Sequence, residues 1–173
     1  SLLLLGIKMK THTYQEALDA SISYFKGDEL AAKVFVDKYA LRNKDNALLE
    51  KTPDDMHWRI AKELARVEYS KYSKPLSSHE IFEYLRDFKR IVPQGSPMYG
   101  IGNKDQYVTL SNCYVLDPPA DSYGGIHRTD ETISQISKRR GGCGTDLSLL
   151  RPGGSPTKNS SRSSSGIISF MER

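Results

Sequence analysis

Gln106-Tyr107-Val108-Thr109-Leu110-Ser111-Asn112-Cys113-Tyr114-Val115-Leu116 is the stretch on which the reading of this chain turns. Val, Tyr and Thr suit a pleated, half-buried backbone, so residues 106–116 are expected to form one strand with a thiol near its middle. Further on, Lys138-Arg139-Arg140-Gly141-Gly142-Cys143-Gly144 follows a helical pattern. Its glycines allow close backbone approach and leave amides free, and its cations suit a phosphate. It lacks the Lys-Ser/Thr ending of a P-loop and does not fit a dinucleotide G-x-G-x-x-G. A thiol strand and an anion-binding turn are the features around which the rest is organised.

The chain has 173 residues, 38% hydrophobic and 27% charged, which is globular composition. A net charge of +4, with the cations spread among 21 acids, describes a solvated basic surface better than a nucleic-acid face. The two cysteines, Cys113 and Cys143, make no zinc pattern and are expected to be reduced thiols in the cytoplasm. Leu2-Leu3-Leu4-Leu5 is too short for a signal or a membrane span, so no membrane role is expected.

From the start, Thr13-Tyr14-Gln15-Glu16 reads as a capping box opening a helix that buries Leu18, Ile22 and Phe25 and stops at Gly27. Asp28 caps a second helix with Ala31, Val34 and Phe35 on one side. Thr52-Pro53-Asp54-Asp55 opens a third, with Met56, Ile60, Leu64 and Val67 as its stripe. Ser77 caps a fourth, carrying Ile81, Phe82, Leu85 and Phe88. His12, His57 and His79 have no second ligand at metal spacing, and no metal site is expected.

From Ile91 the composition changes to a Gly/Pro-rich loop, residues 93–103, and the domain division is placed there: 1–90 helical, 91–173 beyond. Asp121 to Gly125 reads as a tight loop and Asp130 as the cap of a short helix ending in Lys138. Leu147 to Leu150 reads as a strand, and residues 157–165 as a flexible linker. Ile167 to Met171 resumes an apolar pattern where the sequence stops, so the chain is expected to be part of a longer protein.

Taken alone, Cys113 reads as a small apolar residue or as a redox thiol, and Cys143 as a second thiol of unknown geometry. Arg151 and Lys158 add cations for an anion, and Asp121 an acceptor for a ribose or base.

Five blocks in order carry a resemblance: Ser111-Asn112-Cys113-Tyr114-Val115; Asp121-Ser122-Tyr123-Gly124-Gly125; Lys138 to Ser148; Arg151-Pro152-Gly153-Gly154-Ser155-Pro156; and Ser165-Gly166 with Phe170-Met171-Glu172-Arg173. Together they resemble the large catalytic subunit of ribonucleotide reductase, firmly over 90–173. The helical part, with Lys38 to Leu41 and Thr52 to Met56, is similar to the amino-terminal helices of bacterial members. The resemblance implies an α+β chain, a helical domain followed by the opening part of a ten-stranded α/β barrel. It implies thiyl-radical reduction of a ribonucleotide, with Cys113 as one of two reducing thiols. It places substrate at Ser96, Asn112, Cys113 and Gly142, and a deoxynucleoside triphosphate effector at Asp121, Ser122, Tyr123, Arg151 and Lys158. It further implies a thioredoxin-like dithiol reductant, a homodimer with the 130–138 helix near its interface, and a radical source. That source is adenosylcobalamin or a separate metal-containing subunit, and the Ser111–Val115 block reads closer to the cobalamin-dependent type. Cys143 stands where an apolar residue is usual. The radical cysteine and second reducing cysteine would lie in further sequence, so this chain alone is expected to be inactive. Two rival readings are a nucleotide-binding regulatory module without chemistry and a basic nucleic-acid-binding domain using Arg139, Arg140 and Arg162.

Overall fold

A computed structural model describes residues 10–172, so the tetraleucine lies outside the described residues. The chain divides into two compact units at Leu110/Ser111. The first is helical: α1 (Tyr14–Tyr24), α2 (Glu29–Lys38), α3 (Pro53–Lys71), α4 (Ser78–Leu85), a 3₁₀ turn at Arg86–Phe88, and α5 (Gly95–Gly100). The helix starts follow their caps. Glu16 accepts the Thr13 amide at 2.8 Å, Asp55 the Thr52 amide at 3.0 Å and Glu80 the Ser77 amide at 2.8 Å. Asp28 accepts the Ala31 amide at 2.9 Å. Each side chain satisfies a donor that the first helical turn leaves open.

Three buried faces differ from the expected stripes. In α1 the enclosed residues are Ala17 and Ser21, with Leu18 and Ile22 only half-buried. In α2 they are Ala32, Phe35 and Val36, leaving Val34 exposed. In α3 they are Met56, His57, Ile60, Ala61 and Ala65, leaving Leu64 exposed. The cause is common to all three: small residues mark where helices approach closely, and the large apolar residues beside them sit at the margin. Residues Ile81, Phe82 and Leu85 of α4 fill the core as expected, packed on α3.

The Gly/Pro-rich stretch belongs to the helical unit, where composition had placed the division at 90/91. Part of it is helical, as α5. What ties it down is Arg59, a nearly buried guanidinium of α3. It donates to Glu50 at 2.6 Å, to the Met98 carbonyl at 2.8 Å and to the Ile101 carbonyl. Those carbonyls lie at the C-terminal end of α5, which has no partners of its own for them. Gly102 has φ +76°, and a Cβ there would stand 2.9 Å from Arg59 Cγ, so the loop can wrap the arginine only with glycine at this position.

The second unit is built on β1 (Cys113–Leu116), α6 (Tyr123–Ser137) and β2 (Gly142–Thr145), followed by α7 (Ile168–Met171). The strands are parallel, paired from Cys113↔Gly142 to Leu116↔Thr145, with α6 as the crossover. The strand expected over 106–116 is thus confined to its last four residues, the ones in register with β2. The 106–110 stretch, for all its Val, Thr and Tyr, joins no sheet among the described residues, and Gln106 is instead tied back to Asn103 and Tyr99. The expected loop at Asp121 to Gly125 is instead the start of α6: Ser122 caps it, accepting the Gly125 amide at 3.1 Å. Leu147 to Leu150 turns rather than extends. The expected linker folds as a hairpin, with Thr157 donating to Arg162 at 2.9 Å and Ser164 to Ser155 at 2.8 Å. A serine-rich composition had hidden backbone pairing that any residue can make.

Candidate functional site

In a strand, alternate residues face opposite sides. The Cys113↔Gly142 register therefore puts Cys113, Val115, Gly142 and Gly144 on one face, which is exposed. Tyr114, Leu116, Cys143 and Thr145 occupy the other, half-buried face, which Ile136 of α6 approaches beside Tyr114 and Gly141. Two expectations change. Cys113 is exposed and opens the strand, so in this chain it neither fills a core nor sits mid-strand. Cys143 looks away from it, one register step off and on the opposite face, so these two thiols are not a disulfide pair.

Beside Cys113 the exposed face is bare backbone. A Cβ at Gly144 would meet nothing within 4 Å, and one at Gly142 only the Asn112 carbonyl at 3.2 Å. The fold does not oblige residue 144 to be glycine, although glycine weakens a strand interior. A bare floor of this kind admits another molecule close to the thiol.

The glycine turn does not offer the free amides expected of a phosphate loop. The amides of Arg139 and Gly141 donate to Ile136, that of Arg140 to Ser137, and that of Gly142 to the Asn112 carbonyl at 2.7 Å. Arg140, at φ +68°, completes the helix end, and Arg139 donates back to the Gln135 carbonyl at 2.6 Å. The turn is a helix-to-strand junction that locks β2 beside β1.

An anion site is better furnished elsewhere in this unit. A cavity of about 650 Å³ is walled by the start of α6, the Leu150–Arg151 turn, the 156–165 hairpin and the Ile167–Phe170 segment. Asp121, Ser122, Tyr123, Arg151 and Lys158 all line it. Arg151 donates to Asp121 at 2.7 Å and to the Pro156 carbonyl at 3.2 Å. The hydrogen bond from Arg151 holds the Asp121 carboxyl below the usual carboxylate range, so it stays charged at neutral pH. Tyr123 and Phe170 meet edge to face, centroids 5.9 Å apart, giving the cavity an aromatic wall. The N-terminus of α6 adds the positive end of its dipole. The volume is that of an ordinary small-molecule pocket, and this mixture of ring, hydroxyl and cation suits a nucleotide.

Two family models match the chain. One, described as the ribonucleotide reductase all-alpha domain, matches residues 25–104; the other, the ribonucleotide reductase barrel domain, matches residues 111–173. The chain belongs to the ribonucleotide reductase large-subunit family. The Helicobacter pylori ribonucleoside-diphosphate reductase subunit alpha is 30% identical over 86% of this chain and 18% of that protein. The Treponema pallidum subunit alpha is 25% identical over 98% of the chain and 20% of its own length. The Neurospora crassa ribonucleoside-diphosphate reductase large chain is 36% identical over 62 residues. The chain thus spans about a fifth of the length of these bacterial relatives. For a reductase chain, the architecture is a helical domain followed by the beginning of the barrel domain, with the two matches falling either side of the Leu110/Ser111 division.

Of the residues picked from sequence, Asn112, Cys113 and Gly142 come together at the head of the parallel pair, and the five at the cavity line it from three of its walls. Ser96 belongs to the helical unit, near the start of α5 and almost fully enclosed. Sequence reasoning missed Gly144, which the alternation of a strand over Gly142–Thr145 would have disclosed. It also missed the hairpin serines, Ser163 to Ser165, and Phe170 as cavity walls. Arg59 and Glu50 gave no local signal at all. Among the described residues no helix is long and apolar enough to cross a membrane.

Proposed function

We propose that this chain is part of a ribonucleotide reductase catalytic subunit that reduces ribonucleotides to deoxyribonucleotides, with Cys113 as one of two reducing thiols. The observation that carries the reading is the exposed sheet face on which Cys113 stands beside the uncovered backbone of Gly142 and Gly144. A ribose could lie on that floor with the sulfur against it. In the net reaction the 2′ carbon exchanges its hydroxyl for hydrogen, the hydroxyl leaves as water, and two thiols become a disulfide. The partner thiol is not Cys143, and a dithiol protein of thioredoxin type would restore the pair. The thiol chemistry fits a reducing, cytoplasmic setting.

The cavity at the start of α6 is the proposed site of a deoxynucleoside triphosphate that sets substrate choice: Arg151 and Lys158 for phosphates, Asp121 and Ser122 for polar edges, Tyr123 against a ring. Neighbouring placement of α6 suits the proposed homodimer of a ten-stranded barrel protein. The relatives' names, subunit alpha and large chain, favour a diphosphate substrate and a separate radical-bearing subunit over adenosylcobalamin. Among the described residues no three His, Cys, Asp or Glu side chains gather as a metal-binding group, and no step is assigned to a metal.

Alkylation tests the reading in a full-length reductase carrying this chain. Modification of Cys113 should abolish turnover, and a ribonucleoside diphosphate should slow the modification about tenfold or more by covering the thiol. Modification at an unchanged rate under saturating ribonucleotide would refute it.

A further inference from the structure

His57 of α3 is fully buried, and neither ring nitrogen has a hydrogen-bond partner. Its Nδ1 stands 3.7 Å from the Asp54 carboxylate, whose Oδ1 is itself buried and unpartnered, too long for a hydrogen bond. The ring instead packs on the edge of Phe88, centroids 4.6 Å apart, and Phe88 stacks on Phe25 of the α1 end at 6.2 Å. Phe88 reaches that position through an unusual backbone: Asp87 and Phe88 are both left-handed, at φ +56° and +54°. For L-residues that conformation is strained and persists only where contacts hold it. Phe88 is held by His57 and Phe25, and Asp87 by its amide donating to the Tyr24 hydroxyl at 3.2 Å and by Lys89 donating to its carboxylate at 2.9 Å.

We propose that His57 is a pH-sensitive latch: neutral, its ring holds Phe88 and keeps the Arg86–Phe88 turn closed; protonated, it leaves that unpartnered niche and the turn opens. A charged imidazolium has two N–H donors to satisfy, and the niche supplies neither. The charged and titratable groups around it come from each neighbouring element. Asp54 of α3 and Asp87 of the turn favour the cation, and Tyr24 of α1 is neutral. Lys26, Arg86 and Lys89 act on Asp87, and Glu83 of α4 pairs Arg86 at 3.0 Å, so much of the acidic pull is spent elsewhere. Burial outweighs Asp54 and Asp87 and holds the imidazole pKa below its ordinary value. The closed state therefore binds fewer protons than the open one. Closure is fully favoured above the ordinary histidine pKa of about 6.5, weakens as pH falls through the window beneath it, and levels off below the lowered value.

Hydrogen exchange of the Asp87 amide in the whole chain, corrected for intrinsic rate, reads the latch directly. Between about pH 7.5 and about pH 5 its protection should fall about tenfold, and His57→Leu should abolish that fall. Equal protection at both pH values, or a full fall retained in His57→Leu, would overturn the proposal. Should His57→Leu not fold, Asp54→Asn decides. Removing the acid's pull must deepen the loss, and a loss no larger than that of the unaltered chain is equally fatal.

Discussion

Tyr24 closes the same corner from the α1 side, and its ionisation is displaced in a way that can be read in solution. Burial, then the charge of Asp54, pushes its pKa up to about 12 from the ordinary phenol value of 10.0, against a smaller downward effect of the Asp87 amide. A folded-state pKa raised above the unfolded one gives stability that is complete below pH 10 and disappears as pH climbs through about 12. Tyr24→Phe should be less stable than the parent by about 0.5–1.5 kcal/mol at neutral pH, for the lost hydrogen bond. It should also lose less stability than the parent across the alkaline window. Urea midpoints at pH 9 and 11 check both, at about those settings; parallel alkaline losses in the two proteins would count against a buried Tyr24. At this scale the sequence was legible only where a residue acts on its immediate neighbours. Thr13, Asp28 and Ser77 announced their caps within four residues, whereas His57 and Arg59 were unremarkable because their partners come from far along the chain.

At the scale of elements, α5 shows how much one ion pair can organise. Arg59 and Glu50 are each about nine-tenths buried, and Glu50 also accepts the Leu41 amide at 2.9 Å. Arg59→Ala leaves a buried carboxylate unpaired and the α5 carbonyls without their donor, and should cost about 3–5 kcal/mol in urea unfolding. Adding Glu50→Gln to it should recover part of that loss; a single-variant cost under about 1 kcal/mol would show the clamp to be idle. Elements were legible when periodicity and a cap agreed, as in α3 and α4. They were misread when propensity stood alone. Tyr107 to Leu110 has strand-forming residues and lies in no strand, while Gly142 to Thr145 has poor ones and a full register with β1. Pairing, which sequence does not show, outweighed preference.

For the whole molecule, the order of sequence blocks identified the family, and the fold explains why the blocks are spaced as they are. Asp121 lies 30 positions before Arg151 and further still before Lys158, and the α6 start and the folded hairpin bring the three to one cavity. What stayed hidden was the hairpin itself, because Ser-rich composition carries no pairing pattern. Asp121→Ala frees Arg151 from its 2.7 Å partner and should weaken deoxynucleoside triphosphate binding about tenfold, with altered substrate choice and basal reduction retained. Calorimetric titration and product ratios under each effector check this, and a normal effector response would contradict it. The central claim rests on one sulfur, and its most direct test is repeated turnover of Cys113→Ser in a full-length reductase carrying this chain, supplied with a dithiol reductant. Multiple turnover should be abolished while ribonucleotide and effector still bind; sustained turnover at the parent's rate would show that Cys113 is not a reducing thiol.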